Sequence, residues 1–168
     1  MFPDLIWPDF QPMRSDGRLE EILQKLEDSG IYIAENFFAA TFIDSIRKFA
    51  EQHQLADDFN DSLNGKKQNE VANYEIRSDK IFWIESFDGP ALALGQWLDS
   101  LASELKNYFR IPIDQIESHF SIYPPGSHYA RHIDNGKSHG QRDHSRFFTF
   151  IIYLNPNWSA HDGGELVI

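Results

Sequence analysis

Hydrophobic positions recur at helical spacing as far as Phe109 and at strand spacing from Ile116 onward. Leu19, Ile22, Leu23 and Leu26 stand at i, i+3, i+4 and i+7. Glu20 and Glu21 suit the positive end of a helix and Gly30 is placed to stop it, so a helix is expected from about Asp16 to Gly30. Ile31 to Ala34 then reads as a short strand. A second helix is expected over Ala40 to Gln54, where Phe42, Ile46, Phe49, Ala50 and His53 make one apolar stripe, with His53 a packed or capping imidazole. A third, opened by Gly89-Pro90, carries Leu94, Leu98, Leu101, Leu105 and Tyr108 to Phe109.

The strand-like part begins earlier, with Lys80 to Ile84, rich in the aromatic and β-branched residues that a pleated surface favours. From Ile116, Phe120 and Ile122 share one face with it, while His119, Ser121 and Tyr123 share the other. Arg146 to Asn155 reads as a buried strand, with Thr149, Ile151 and Tyr153 on one parity and Phe148, Phe150 and Ile152 on the other. Helices followed by antiparallel strands predict an α+β chain. Residues 1–15, with aromatics and prolines, read as an irregular segment. Residues 57–75 read as a long polar loop around an Asn64-Gly65 turn.

Composition narrows the class. At 168 residues, 41% hydrophobic and 14% aromatic, the chain fits a single domain spanning 1–168 with a real core. The absence of Cys excludes a disulfide scaffold, a thiolate metal site and a Cys nucleophile. A net charge of −11 argues against nucleic acid as a partner, since that needs a basic surface. No stretch is apolar enough to span a membrane and the start lacks a signal-peptide pattern, so a cytoplasmic protein is expected. The oligomeric state is left open.

The candidate chemistry lies in His132-Ile133-Asp134. On an extended segment residues two apart project to one side, so an imidazole and a carboxylate converge on one point. Such a pair supplies two of the three protein ligands of the facial triad of non-haem Fe(II) oxygenases. The same triplet also fits a hairpin shoulder on which His132 and Asp134 hydrogen-bond each other. His128, His139, His144 and His161 read as exposed loop imidazoles.

Around the pair stand Tyr123-Pro124-Pro125-Gly126, Tyr129-Ala130-Arg131 and Asn135-Gly136, then Arg146, Tyr153-Leu154-Asn155, Trp158 and Gly163-Gly164-Glu165-Leu166. In that order, with Ile76-Arg77-Ser78-Asp79 upstream, they resemble the prolyl 4-hydroxylase family of Fe(II)/2-oxoglutarate dioxygenases, and within it the hypoxia-factor prolyl hydroxylases and their bacterial relatives. The resemblance implies a double-stranded β-helix, a jelly-roll or cupin-like barrel, backed by about three N-terminal helices. It implies His132 and Asp134 as ligands of Fe(II), and Tyr123, Tyr153 and Ile151 around the cosubstrate 2-oxoglutarate. Tyr129 and Arg146 would stand at the mouth where substrate enters, O2 would be the oxidant, and ascorbate an accessory reductant. Its partner would be a protein or peptide bearing proline, hydroxylated to 4-hydroxyproline with succinate and CO2 as coproducts, and residues 57–75 would be a lid over it. Tyr153 also fits a core aromatic, and Arg146 a surface ion pair.

After Gly-Gly-x-Leu that family continues to a distal His and a basic residue that do not occur between Leu166 and Ile168. The barrel is therefore expected to be incomplete and the 168 residues by themselves weakly active or inactive. Two other classes fit the fold, a non-catalytic peptide-binding module and a metal-binding jelly roll that recruits His128, His139 or His144.

Overall fold

The computed structural model describes residues 17–62, 74–132 and 146–168. They fall into two compact units. The first holds residues 17–51 and 85–117, the second residues 52–62, 74–84, 118–132 and 146–168.

In the first unit, α1 runs Arg18–Ser29 and buries Leu19, Ile22 and Leu23, as its spacing requires. Gly30 closes it in the left-handed conformation, its N–H on the Leu26 carbonyl at 2.9 Å. The strand expected over Ile31 to Ala34 does not form. Ile31 and Ile33 are exposed there, and no ladder partner lies alongside among the described residues. Helix α2 spans Ala40–Leu55, with Phe42 and Ile46 buried. Helix α3 spans Ala91–Phe109 behind Pro90.

The buried face of α3 is Ala91, Leu94, Gly95, Trp97, Leu101 and Leu105. Trp97, absent from the expected stripe, is in it, whereas Tyr108 lies exposed. The reason is aromatic packing: Phe37 and Phe38 meet the Trp97 ring edge-on at 5.7 and 5.1 Å, a preferred geometry for π systems. The Tyr108 hydroxyl instead donates to Glu27 on α1. Gly95 is needed for space, since a Cβ there would come within 2.5 Å of the Phe87 ring.

The second unit is built on an antiparallel sheet of β1 (Asn60–Asp61), β2 (Lys80–Trp83) and β3 (His119–Ile122), in that order. Phe82 and Phe120 face each other across β2 and β3, and their rings stack. Phe120 is buried while His119 and Ser121 are exposed, the alternation read from the sequence. His53 is structural, as expected: its ring stacks on Phe82 at 4.1 Å and Nδ1 meets Asp58 Oδ2 at 2.7 Å.

Residues 146–155 do not form the buried strand that their composition suggests. They join no ladder among the described residues, and Phe147, Phe150, Ile151 and Tyr153 are about half exposed. A strand is defined by its neighbours. With no ladder partner among the described residues, β propensity alone does not make this run a strand.

Candidate active site

The site grows from the way β3 leaves the sheet and returns to it. Lys80 pairs with Ile122, and Arg77 next pairs with Tyr129 in an isolated antiparallel bridge. Between those pairs lie Ser78 and Asp79 on one side and Tyr123 to His128 on the other, so the longer side must loop out. It does so in a turn closed by the Ser127 N–H on the Pro124 carbonyl at 2.8 Å. Pro125 occupies the second position, where its fixed φ is an advantage, and Gly126 occupies the third at φ 85°. This is a type II turn, and only glycine takes that φ without strain.

Past the turn, pairing resumes. The Ser78 N–H bonds the His128 carbonyl at 2.9 Å and the Ala130 N–H bonds the Ile76 carbonyl at 2.7 Å. The His128 imidazole spans the same edge, with Nε2 3.2 Å from the Glu75 carbonyl and Nδ1 3.4 Å from the Ser78 hydroxyl. Both nitrogens are thus engaged within the fold, which removes His128 from the imidazoles that a jelly-roll metal site could recruit.

The pairing sets Arg77 against Tyr129. The guanidinium carbon sits 4.2 Å from the centre of the Tyr129 ring, and the His132 ring lies parallel to that same ring at 3.8 Å and 11°. Two groups of this size cannot share one face at such distances, so Tyr129 is sandwiched between cation and imidazole. From behind, Arg77 is gripped by Asp79. Its Nε and Nη2 donate to the two carboxylate oxygens at 2.8 and 2.6 Å, the fork geometry in which Arg surpasses Lys. Asp79 is 1% exposed and also accepts from the Ser62 hydroxyl at 2.7 Å. Ser62 is itself buried beside β1.

Electrostatics follow from this arrangement. Burial pushes the Asp79 carboxyl upward, but hydrogen bonds from Arg77 and Ser62 and the Arg77 charge outweigh it, leaving the group below the usual carboxylate range. The Tyr123 phenol is held above its ordinary value, first by withdrawal from water and next by the Asp79 carboxylate, with Arg77 opposing. Tyr129 and Tyr153 add to that rise, so the three phenols and Arg77 lie within one another's fields.

His132 is held at both its ring face and one nitrogen. Nδ1 lies 2.9 Å from the Ala130 carbonyl, which can only accept, so Nδ1 carries the proton. In the neutral ring the lone pair then sits on Nε2. Metal-bound histidines are commonly fixed by this kind of backbone contact on the other nitrogen, so this tautomer fits a ligand role. Among the described residues no three His, Asp or Glu side chains are grouped to hold a metal. Asp134, the expected partner ligand, lies outside the described residues.

Of the remaining expected residues, Tyr123 is 45% exposed and Tyr129 half-buried. Tyr153 and Ile151, expected to face inward, are 55% and 47% exposed, in a segment with no ladder partner among the described residues. The Tyr153 hydroxyl accepts from the Leu166 N–H at 3.0 Å, which leaves its own proton for donation to a ligand. Arg146 is exposed. Most of the expected lid, 63–73, lies outside the described residues, as do residues 1–16, the Asn135-Gly136 turn, His139 and His144. Asp61 and Tyr74, on the two flanks of 63–73, are joined by a hydrogen bond at 2.7 Å. Sequence reasoning did not assign a role to Arg77, Asp79 or Ser62, although Arg77-Ser78-Asp79 has the same two-residue spacing that singled out His132 and Asp134.

Residues 118–168 match the family model of the 2OG-Fe(II) oxygenase superfamily. Within it, the similarity is to prolyl hydroxylases. A hypoxia-inducible factor prolyl hydroxylase of Caenorhabditis elegans is 29% identical over 158 residues, 88% of this chain and 21% of that protein. Egl nine homolog 1 of Rattus norvegicus is 26% identical over 159 residues, 89% of this chain and 44% of that one. The crystal structure of a Pseudomonas putida prolyl-4-hydroxylase superposes with a TM-score of 0.66 at 26% identity, covering 87% of this chain and 73% of that one. The chain thus spans less than half the length of these curated relatives. No described helix is long and apolar enough to cross a membrane.

Proposed function

We propose that the chain is the oxygenase portion of an Fe(II)- and 2-oxoglutarate-dependent dioxygenase that hydroxylates a prolyl residue of a protein or peptide. The observation that carries this reading is His132, whose proton is fixed on Nδ1 by the Ala130 carbonyl and whose ring is clamped by Tyr129, inside the segment that matches the oxygenase family. His132 and Asp134 would hold the iron. Bound there with 2-oxoglutarate and O2, the metal would supply the oxidising equivalent that the side chains lack, with succinate and CO2 as coproducts and ascorbate restoring Fe(II).

The chain's own residues bind, orient and exclude water. Tyr153, accepting from Leu166, would donate its hydroxyl proton to the distal carboxylate of 2-oxoglutarate, and Ile151 would form the apolar wall beside it. Tyr123, kept protonated by its surroundings, is a second donor for the cosubstrate. Tyr129 and Arg146 would stand at the rim where the prolyl substrate enters, under a lid drawn from 57–75. Completion of a double-stranded β-helix around the described sheet belongs to the same proposal, as does cytoplasmic residence.

The test is turnover. Incubation with Fe(II), 2-oxoglutarate, ascorbate and a library of proline-bearing peptides should oxidise one peptide at proline by a single oxygen atom, coupled to succinate. Succinate formation that no peptide stimulates, with no oxidised peptide, would contradict the prolyl assignment.

A further inference from the structure

We infer that Asp79, through Arg77 and Tyr129, is a positioning residue for the His132 imidazole. This inference rests on the reading of His132 as a metal ligand and extends it to the residues that aim it. The chain of contacts is continuous: Ser62 bonds Asp79, Asp79 takes both prongs of the Arg77 fork, the Arg77 guanidinium sits over the Tyr129 ring, and Tyr129 lies flat on His132.

Each link restricts a different freedom. The carbonyl of Ala130 fixes which nitrogen of His132 bears the proton. Parallel stacking on Tyr129 restricts how the ring can turn about that hydrogen bond. Tyr129 in turn would tilt toward solvent, being only half-buried, were its other face not covered by a guanidinium. The guanidinium stays over the ring because a bidentate carboxylate fixes its plane, and the carboxylate stays put because it is buried and bonded to Ser62. A lysine at position 77 would keep the charge but lose both the plane and the fork.

Arg77→Lys is therefore the discriminating variant, read first by proton NMR of the metal-free protein. In the native chain the His132 ring protons are shielded by the Tyr129 ring and resonate upfield of a free imidazole. In Arg77→Lys and in Asp79→Asn they should move downfield. The His53 resonances, shifted by Phe82 in the same unit, should stay in place and report an intact fold. Uptake of Mn(II), followed by loss of the free-ion EPR signal, should then weaken about tenfold or more, the usual effect of a residue that orients a ligand.

An unmoved His132 signal in Arg77→Lys beside an intact His53 signal overturns the inference. So does a moved signal with unchanged Mn(II) affinity. If Arg77→Lys loses the His53 signal as well, Ser62→Ala, which removes one hydrogen bond from Asp79, is judged by the same two criteria. Failure of the native chain to take up Mn(II), with the His132 shift still lost in Arg77→Lys, contradicts the metal reading and leaves the stacking relay standing as a purely structural device.

Discussion

Replacing Arg77 with Met removes the charge and the fork while keeping most of the aliphatic volume, and the consequence can be worked out from Asp79. Its carboxylate has no exposed side-chain surface and, among the described residues, would keep only the Ser62 hydroxyl as a side-chain donor. Staying ionised without its partner costs about 3–5 kcal/mol. The alternative is to take up a proton, at about 1.4 kcal/mol for each pH unit above an ordinary carboxyl pKa of about 3.9. At pH 7 that route costs about 4 kcal/mol, so the two limits agree on a loss of about 3–4 kcal/mol. At pH 5 the proton costs only about 1.5 kcal/mol, and the loss must shrink accordingly.

The signs run in opposite directions for the two proteins. In the native chain the folded pKa of Asp79 lies below its unfolded value. Its stabilising contribution is complete above the unfolded pKa and is lost as pH falls through the folded one, so between pH 7 and 5 it is flat. In Arg77→Met the folded pKa is raised, so the variant regains stability as pH falls over the same interval. Urea unfolding at pH 5, 6 and 7, followed by circular dichroism, should show the gap between the two proteins closing by up to about 1.4 kcal/mol per unit. A gap below about 1 kcal/mol at pH 7, or one of equal size at pH 5, would refute the picture of a buried carboxylate dependent on Arg77.

Two backbone positions give independent checks. Gly126→Ala places a Cβ at φ 85°, costing about 1–2 kcal/mol, and should release the 127–130 pairing with 76–78, seen as faster amide exchange at Ser78 and Ala130 than in the native chain. Equal protection at both amides would show that the turn does not hold that edge. Gly95→Ala drives a methyl into the Phe87 ring and should cost about 1–3 kcal/mol in urea unfolding, with Phe87→Ala in the same chain recovering part of the loss; purely additive effects would contradict the close contact.

What the sequence made legible was whatever depends on local period. The three helices follow from apolar spacing and stop signals, and Gly30 ends α1 where its conformational freedom is needed. The alternation along β3 was equally readable. Properties that depend on a distant partner were not. Trp97 is core because Phe37 and Phe38 arrive at it, and Tyr108 is surface because Glu27 takes its hydroxyl, neither of which is a feature of α3 alone. Ile31 to Ala34 and 146–155 have strand composition, yet a strand also needs a neighbour.

The candidate site divides in the same way. His132-x-Asp134 could be found because period two puts both side chains on one side of an extended segment. Arg77-x-Asp79 obeys the same rule, but its chemistry emerges only when Tyr129, far along the chain, is laid between it and His132. The turn at Pro124-Pro125-Gly126 is what brings them together, by absorbing the surplus residues between two stretches of pairing.

The central claim is that His132 and Asp134 form an iron site that also receives 2-oxoglutarate. An anaerobic titration of the purified chain with Fe(II) and 2-oxoglutarate tests it most directly, because the visible charge-transfer band of the keto acid chelate arises only when both meet at one centre. The account requires that band once iron saturates the chain, and its loss in His132→Ala and in Asp134→Ala. A native chain that shows no band, or a band that survives both substitutions, would contradict it.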